Sequence, residues 1–220
     1  MLALVGGAVA CGDATSPTAP SPGQPVDLSA EWVVSSPGAQ QVDADQLGTA
    51  LDAARSIPGL RAVLVVRHAH LIAERYVAPG GADSLYALRS ATKSVVSLLV
   101  GIAVQRAAIR GTDQPLSELF HPPLPALDAG QDAITVGDLL TMTSGFQWNE
   151  GTSVSEYNQW ALASDQIEYL LTRPIVSPPG TTFNYNSAAV HLLSAVLQFN
   201  VGGTAAFADA YLLAPLGIRV

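Results

Sequence analysis

Ser90 and Lys93 are the residues whose types and spacing could do chemistry in this chain. Lys93 is the only lysine, against nine arginines, and it stands three positions after a serine. At the start of a helix, side chains at i and i+3 project to the same face, so a hydroxyl and an amine placed there can meet. Lysine, unlike arginine, can give up its proton where its surroundings disfavour charge. A neutral lysine beside a serine can take the hydroxyl proton and leave a nucleophile. The backbone N–H of a serine at a helix start also points outward, ready to hold an oxyanion. A plainer reading stands beside this one. Ser90 could be only an N-cap, and Lys93 could run its stem along the surface to water. Spacing alone leaves both open.

The pair opens the stretch Ser90 to Arg110, SATKSVVSLLVGIAVQRAAIR. After its polar start the run is apolar on every side, through Val95, Val96, Leu98, Leu99, Val100, Ile102 and Val104. That pattern predicts a helix sunk in a core, with Gly111 placed to end it. Upstream, Asp43 or Asp45 can cap a helix carrying Leu47, Ala50, Leu51 and Ala54 at helical spacing. The runs Arg61 to Arg67 and His70 to Val77 predict a β-hairpin. Its connection, His68-Ala69, lacks the Gly or Asn that a two-residue primed turn favours, which leaves the register open. Leu85 to Leu88 is expected to lead, extended, into the central helix. Downstream, Thr135 and Asp138 form a capping-box signal for a short helix over Val136 to Met142, closed by Ser144-Gly145. Further helices are expected near Ser155 to Ala163, over Asp165 to Leu171 and over Ser187 to Gln198, with a last helix capped by Thr204 and ending before Pro215. A two-stranded hairpin is marginal alone, so the pattern predicts partner strands that these residues do not supply.

The 220 residues are 49% hydrophobic and 13% charged, enough apolar content for a sizeable core. A net charge of -8 argues against nucleic acid and anionic lipid surfaces, both of which need basic patches. One cysteine excludes an intramolecular disulfide and a Cys-rich zinc site. No G-x-S-x-G elbow, H-E-x-x-H pair or Gly-rich phosphate loop occurs. His68 and His70 could share a metal from one strand, but solvated loop histidines explain them more simply. His121 in a Pro-rich loop and His191 on a helix read as structural. The Ser–Lys arrangement is therefore the best hydrolytic option.

Ser90-Ala91-Thr92-Lys93 followed by SVVSLLVGIAV resembles the S-x-x-K motif and central helix of the serine β-lactamase and penicillin-binding-protein superfamily. Two more blocks follow in the right order. LLTMTSGF, Leu139 to Phe146, resembles the L-L-T-x-T-S-G segment of its class-C-like branch. PGTTFNYNS, Pro179 to Ser187, resembles the segment that carries the second catalytic motif. The resemblance implies an α+β fold of the β-lactamase/transpeptidase type, a helical region plus an antiparallel sheet flanked by helices. It implies Ser90 as acylated nucleophile, Lys93 as its proton partner and Tyr185 as general base and acid. A phenol titrates near ~10, so Tyr185 needs a neighbouring cation such as Lys93 to work at neutral pH. Ser187 stands where the family usually has Asn, able to bond Lys93 or the substrate amide, or to cap the next helix. The Y-N-S form is similar to the esterase and amino-oligomer amidase relatives. The family's third motif, K-T-G or H-T-G on a later strand, is not in these residues, and the C-terminal strands are expected to be missing with it.

The run MLALVGGAVA before Cys11 resembles a bacterial lipobox, with lipidation at Cys11. Residues 1–11 are thus expected to be a signal segment, 12–30 a Pro/Ser/Thr-rich linker, and 31–220 an incomplete β-lactamase-related domain. The implied function is a serine hydrolase of amide or ester bonds needing no metal or organic cofactor. It is expected to be a monomer on the outer side of a membrane, tethered through Cys11 or else secreted, with a small-molecule or peptide-like substrate. The alternatives are a truncated or degenerate non-catalytic homologue, a peptidoglycan-binding relative, or a metal-dependent hydrolase built on His68 and His70.

Overall fold

The computed structural model describes residues 32–79, 81–120, 127–151 and 155–218. The lipobox-like run, Cys11, the linker 12–30 and His121 lie outside the described residues. The chain forms two compact units, Met1–Tyr86 and Ala87–Val220.

In the first unit, helix α1 (Ala44–Ala54) starts where sequence placed it. The Asp43 carboxylate accepts from the N–H groups of Asp45 and Gln46 at 3.0 and 2.9 Å, relieving two of the donors a helix start leaves unpaired. Strands β1 (Ala62–Arg67) and β2 (His70–Tyr76) pair antiparallel, with a register shift between Val65 and Val66. The turn keeps the primed geometry despite its residues. His68 and Ala69 take φ of 49° and 61°, a strain of about 1–2 kcal/mol each for residues with a Cβ. Gln40 braces that turn, accepting from Arg67 Nε at 2.8 Å through its carbonyl and meeting His68 Nδ1 at 3.1 Å through its side chain. The hairpin also gains an edge that the sequence did not announce. Leu71 donates to Val33 and accepts from Ser35, so the segment around Val34 runs parallel to β2.

The second unit is helical. Helix α2 (Thr92–Gln105) corrects two expectations. It stops well before Gly111, because Ala107 turns left-handed at φ 58°. Ala107 N–H then reaches the Val104 carbonyl and Ala108 N–H the Ala103 carbonyl, a Schellman closure with alanine where glycine is usual. Nor is α2 sunk in the core: Leu99, Val100 and Ala103 are buried, but Leu98 is 56% exposed beside exposed Ser94, Ser97 and Gly101. Leu85 to Leu88 forms no strand, and Leu88 is already helical in its backbone.

Short helices follow: α3 (Ala129–Asp132), α4 (Val136–Leu140), α5 (Glu156–Ala161) and α6 (Gln166–Leu171). Thr135 and Asp138 form the expected reciprocal capping box, and Ser155 and Asp165 cap α5 and α6. The helix that is buried is α7 (Ser187–Val201), with Ala188, Ala189, Val190, Leu192, Leu193, Val196 and Leu197 all inside. It packs with α2, α4 and α6 over Leu116, Leu119, Ile134, Val136, Leu139, Phe146 and Leu170. The last segment also differs from expectation. Gly203, not Thr204, precedes α8 (Thr204–Ala208), and the Thr204 hydroxyl donates back to Ser194 O at 2.9 Å. Pro215 does not stop the chain's winding. A wide π turn over Asp209–Leu213 passes into a 3-10 turn at Ala214–Leu216, whose first turn needs no proline N–H.

The alanine closing α2 gives a test. Ala107→Gly removes the Cβ strain of a left-handed residue and should raise stability by about 0.5–1 kcal/mol, read as a higher urea midpoint with an unchanged slope.

Candidate active site

Ser90 lies in a single 3-10 turn, Arg89–Ala91, that feeds directly into α2. It is not an N-cap, since no side chain caps this helix start. Its hydroxyl is free for other partners. Lys93 Nζ donates to Ser90 Oγ at 3.1 Å, the i to i+3 meeting that the spacing predicts. Tyr185 OH lies 2.7 Å from the same oxygen, from 95 residues away in sequence. Among the described residues no carbonyl or side chain accepts from the Ser90 N–H. Arg89, just before, is held at φ 51°.

Tyr185 reaches Ser90 because the chain around it is tied to an earlier loop. Gly180 N–H donates to Thr143 O at 2.8 Å, Asn184 N–H to Met142 O at 2.9 Å, and the Asn184 amide to Trp148 O at 3.0 Å. Gly145 makes this contact possible. Its φ is +82°, and a Cβ there would stand 2.2 Å from the Ser177 carbonyl oxygen. Both the backbone sign and the close approach require glycine. Val176 N–H donates to Gly145 O across that gap at 2.9 Å. The blocks LLTMTSGF and PGTTFNYNS are thus two sides of one seam.

The residues after Tyr185 divide their work differently from expectation. Asn186 is the N-cap of α7, accepting from Ala189 N–H at 2.9 Å, and it is buried. Ser187 is the first helical residue and does not bond Lys93. Its N–H donates to Glu150 Oε2 at 2.5 Å and its hydroxyl to Glu150 Oε1 at 2.7 Å. The Trp148 indole N–H also donates to Glu150 Oε2, at 2.8 Å. Trp148 and Glu150 escaped the sequence reading. A single carboxylate in a loop carries no pattern.

A pocket of about 320 Å³ opens beside these groups. Its lining includes the polar Ser90, Lys93, Glu150 and Ser187, the apolar Val96 and Val190, and the rings of Tyr157, Trp160 and His191. Trp160 stands edge-on to both Trp148 and His191, at 6.1 and 5.5 Å between ring centres. Burial lowers the pKa of His191 and so favours its neutral ring. The Tyr185 phenol is held below its usual range. The Ser90 hydroxyl is the main cause, followed by hydrogen bonding and charge from Lys93, whose Nζ is 5.0 Å from the ring centre. Burial and the Glu150 charge oppose that shift. Either proton position fits the 2.7 Å contact: a phenol donates to Ser90, and a phenolate accepts from it.

The two histidines considered as metal ligands have contacts of their own. His68 meets Gln40, and His70 Nδ1 lies 2.7 Å from the His68 carbonyl. Among the described residues no cluster of His, Cys, Asp and Glu is arranged to hold a metal ion.

The profile of the beta-lactamase family matches residues 44–219. The chain belongs to the beta-lactamase family. It is 29% identical over 210 residues to Esterase EstB of Burkholderia gladioli, an alignment covering 83% of this chain and 53% of the esterase. Among solved structures, a candidate beta-lactamase from Bacteroides dorei superposes with a TM-score of 0.63 at 20% identity, over 80% of this chain and 52% of its own. A candidate 6-aminohexanoate-dimer hydrolase from Bacillus anthracis gives 0.54 at 19% identity, over 71% and 43%. The fold is therefore of the β-lactamase type, helical with a small antiparallel sheet. The chain spans about half the length of the relatives it matches.

The seam predicts its own fragility. Gly145→Ala should cost more than ~2 kcal/mol, since it combines a left-handed alanine with a backbone collision. The measurement is thermal unfolding followed by circular dichroism, read as a lower melting temperature.

Proposed function

We propose that this chain carries the nucleophilic centre of a serine hydrolase that cleaves ester or amide bonds through an acyl-enzyme on Ser90. One observation carries the reading: Lys93 Nζ and Tyr185 OH meet on the same Ser90 oxygen. Family membership and the likeness to an esterase support it. In this mechanism the Tyr185 phenolate, favoured by the Lys93 ammonium, takes the Ser90 proton as Oγ attacks the carbonyl carbon. The Ser90 N–H supplies one donor to the oxyanion that forms. The phenol then returns its proton to the departing alcohol or amine, leaving the acyl group on Ser90. A water molecule, deprotonated by the same phenolate, resolves the ester. No metal or organic cofactor enters these steps. The apolar and aromatic residues in the pocket lining suit the acyl or leaving group of a small or peptide-like substrate. The lipobox-like residues before Cys11 support a place at the cell envelope, tethered by lipid, where such substrates would be met.

A fluorophosphonate probe tests the centre. Label should appear on Ser90, vanish in Ser90→Ala, and form at least ~100-fold more slowly in Tyr185→Phe. A folded protein that takes no label would favour a non-catalytic, ligand-binding relative.

The pH dependence follows from the lowered phenol. The reactive form is the phenolate, so labelling should rise with pH through the Tyr185 pKa, at a midpoint below the ordinary ~10. Lys93→Ala removes a hydrogen bond and a charge that both favour the phenolate, so its midpoint should move to higher pH.

A further inference from the structure

Tyr185 is 40% exposed, so core packing does not fix its ring, and its neighbours in the chain must. On one side Asn184 is held by the carbonyls of Met142 and Trp148. On the other side buried Asn186 caps α7, and Glu150 accepts both the N–H and the hydroxyl of Ser187. The same carboxylate accepts the Trp148 indole N–H. We propose that Glu150 is a positioning residue for Tyr185, tying Trp148 to Ser187 so that the turn before α7 carries the phenol to Ser90. For its consequence in catalysis this rests on the hydrolase reading above.

The contact asks for a group that only accepts hydrogen bonds. Ser187 is the first residue of α7, where helix N–H groups lack internal acceptors and the helix end favours negative charge. A carboxylate offers both oxygens as acceptors only, and here Oε1 takes the hydroxyl while Oε2 takes two N–H groups. A glutamine cannot reproduce that pattern, because one of its two ends donates. Glu150 has a second effect through space. The charged and titratable groups about the pocket are Arg89 and Lys93 before and within α2, Tyr157 on α5, His191 on α7 and Glu150 itself. Of these, Lys93 and Glu150 act on the Tyr185 phenol in opposite senses. The residue that holds the phenol in place therefore also limits how readily it ionises.

Two variants and two readouts decide the matter on the full chain. Glu150→Ala should lower the rate of fluorophosphonate labelling by about a hundredfold, as expected for a reacting group displaced by about an ångström. Glu150→Gln keeps one acceptor and should fall less, by about tenfold. The second readout needs no turnover: the near-ultraviolet rise of the Tyr185 phenolate, taken as the difference between each protein and its Tyr185→Phe counterpart. In Glu150→Ala that titration should move to higher pH, because a displaced phenol loses the Ser90 and Lys93 hydrogen bonds, which outweigh the loss of the opposing charge. A glutamate acting through its charge alone would move it to lower pH instead. Wild-type labelling rates with an unmoved Tyr185 titration would overturn the proposal. If Glu150→Ala does not fold, Glu150→Gln decides. If the unaltered protein takes no label, the hydrolase reading falls. The titration then stands alone: a shift to higher pH supports the positioning role of Glu150, and its absence removes it.

Discussion

The structure depends on one seam, where the loop after α4 meets the chain returning to α7. Backbone groups of Met142, Thr143 and Gly145 bond to those of Asn184, Gly180 and Val176, and Gln147 N–H reaches Pro174 O. These bonds work in a part of the chain with little regular secondary structure, so each satisfies a group that would otherwise need water. They also fix the reach of Tyr185, which lies 95 residues from its partner serine. Gly145 is the tolerance of the seam: any side chain there would push the two segments apart.

Around the seam a rigid frame supports an open centre. Helix α7 is buried along most of its length, and its first turn sits over the pocket, with Ser187 and His191 both facing it. The polar groups nearest Ser90 stay in contact with solvent, which screens their charges and keeps each effect modest. Lys93 and Glu150, of opposite sign, flank the phenol. The centre is tuned by hydrogen bonds at short range more than by burial.

Much of this was legible in sequence, for identifiable reasons. Some caps were clear signals: Asp43, and Thr135 with Asp138, act at the positions their patterns implied, because a cap is a local contact. Ser90 and Lys93 meet for the same reason. Helix burial was misjudged, since an apolar sequence on all sides says what a helix could bury and not what lies against it. Thus α7 took the interior, and α2 kept Leu98 outside. Its end was missed because Ala107 adopted a conformation that its residue type disfavours. Glu150 was invisible because its meaning comes from Ser187, 37 positions away.

Arg89, the residue before Ser90, narrows the room for drift. Its left-handed backbone turns the chain just before Ser90, and its side chain borders the pocket. Glycine or asparagine would fit that backbone comfortably but surrender the cation. Lysine would keep the charge on a more flexible stem, and a β-branched residue would neither fit nor carry charge. The position thus couples two unrelated demands, so its tolerated alphabet is smaller than either demand alone would set.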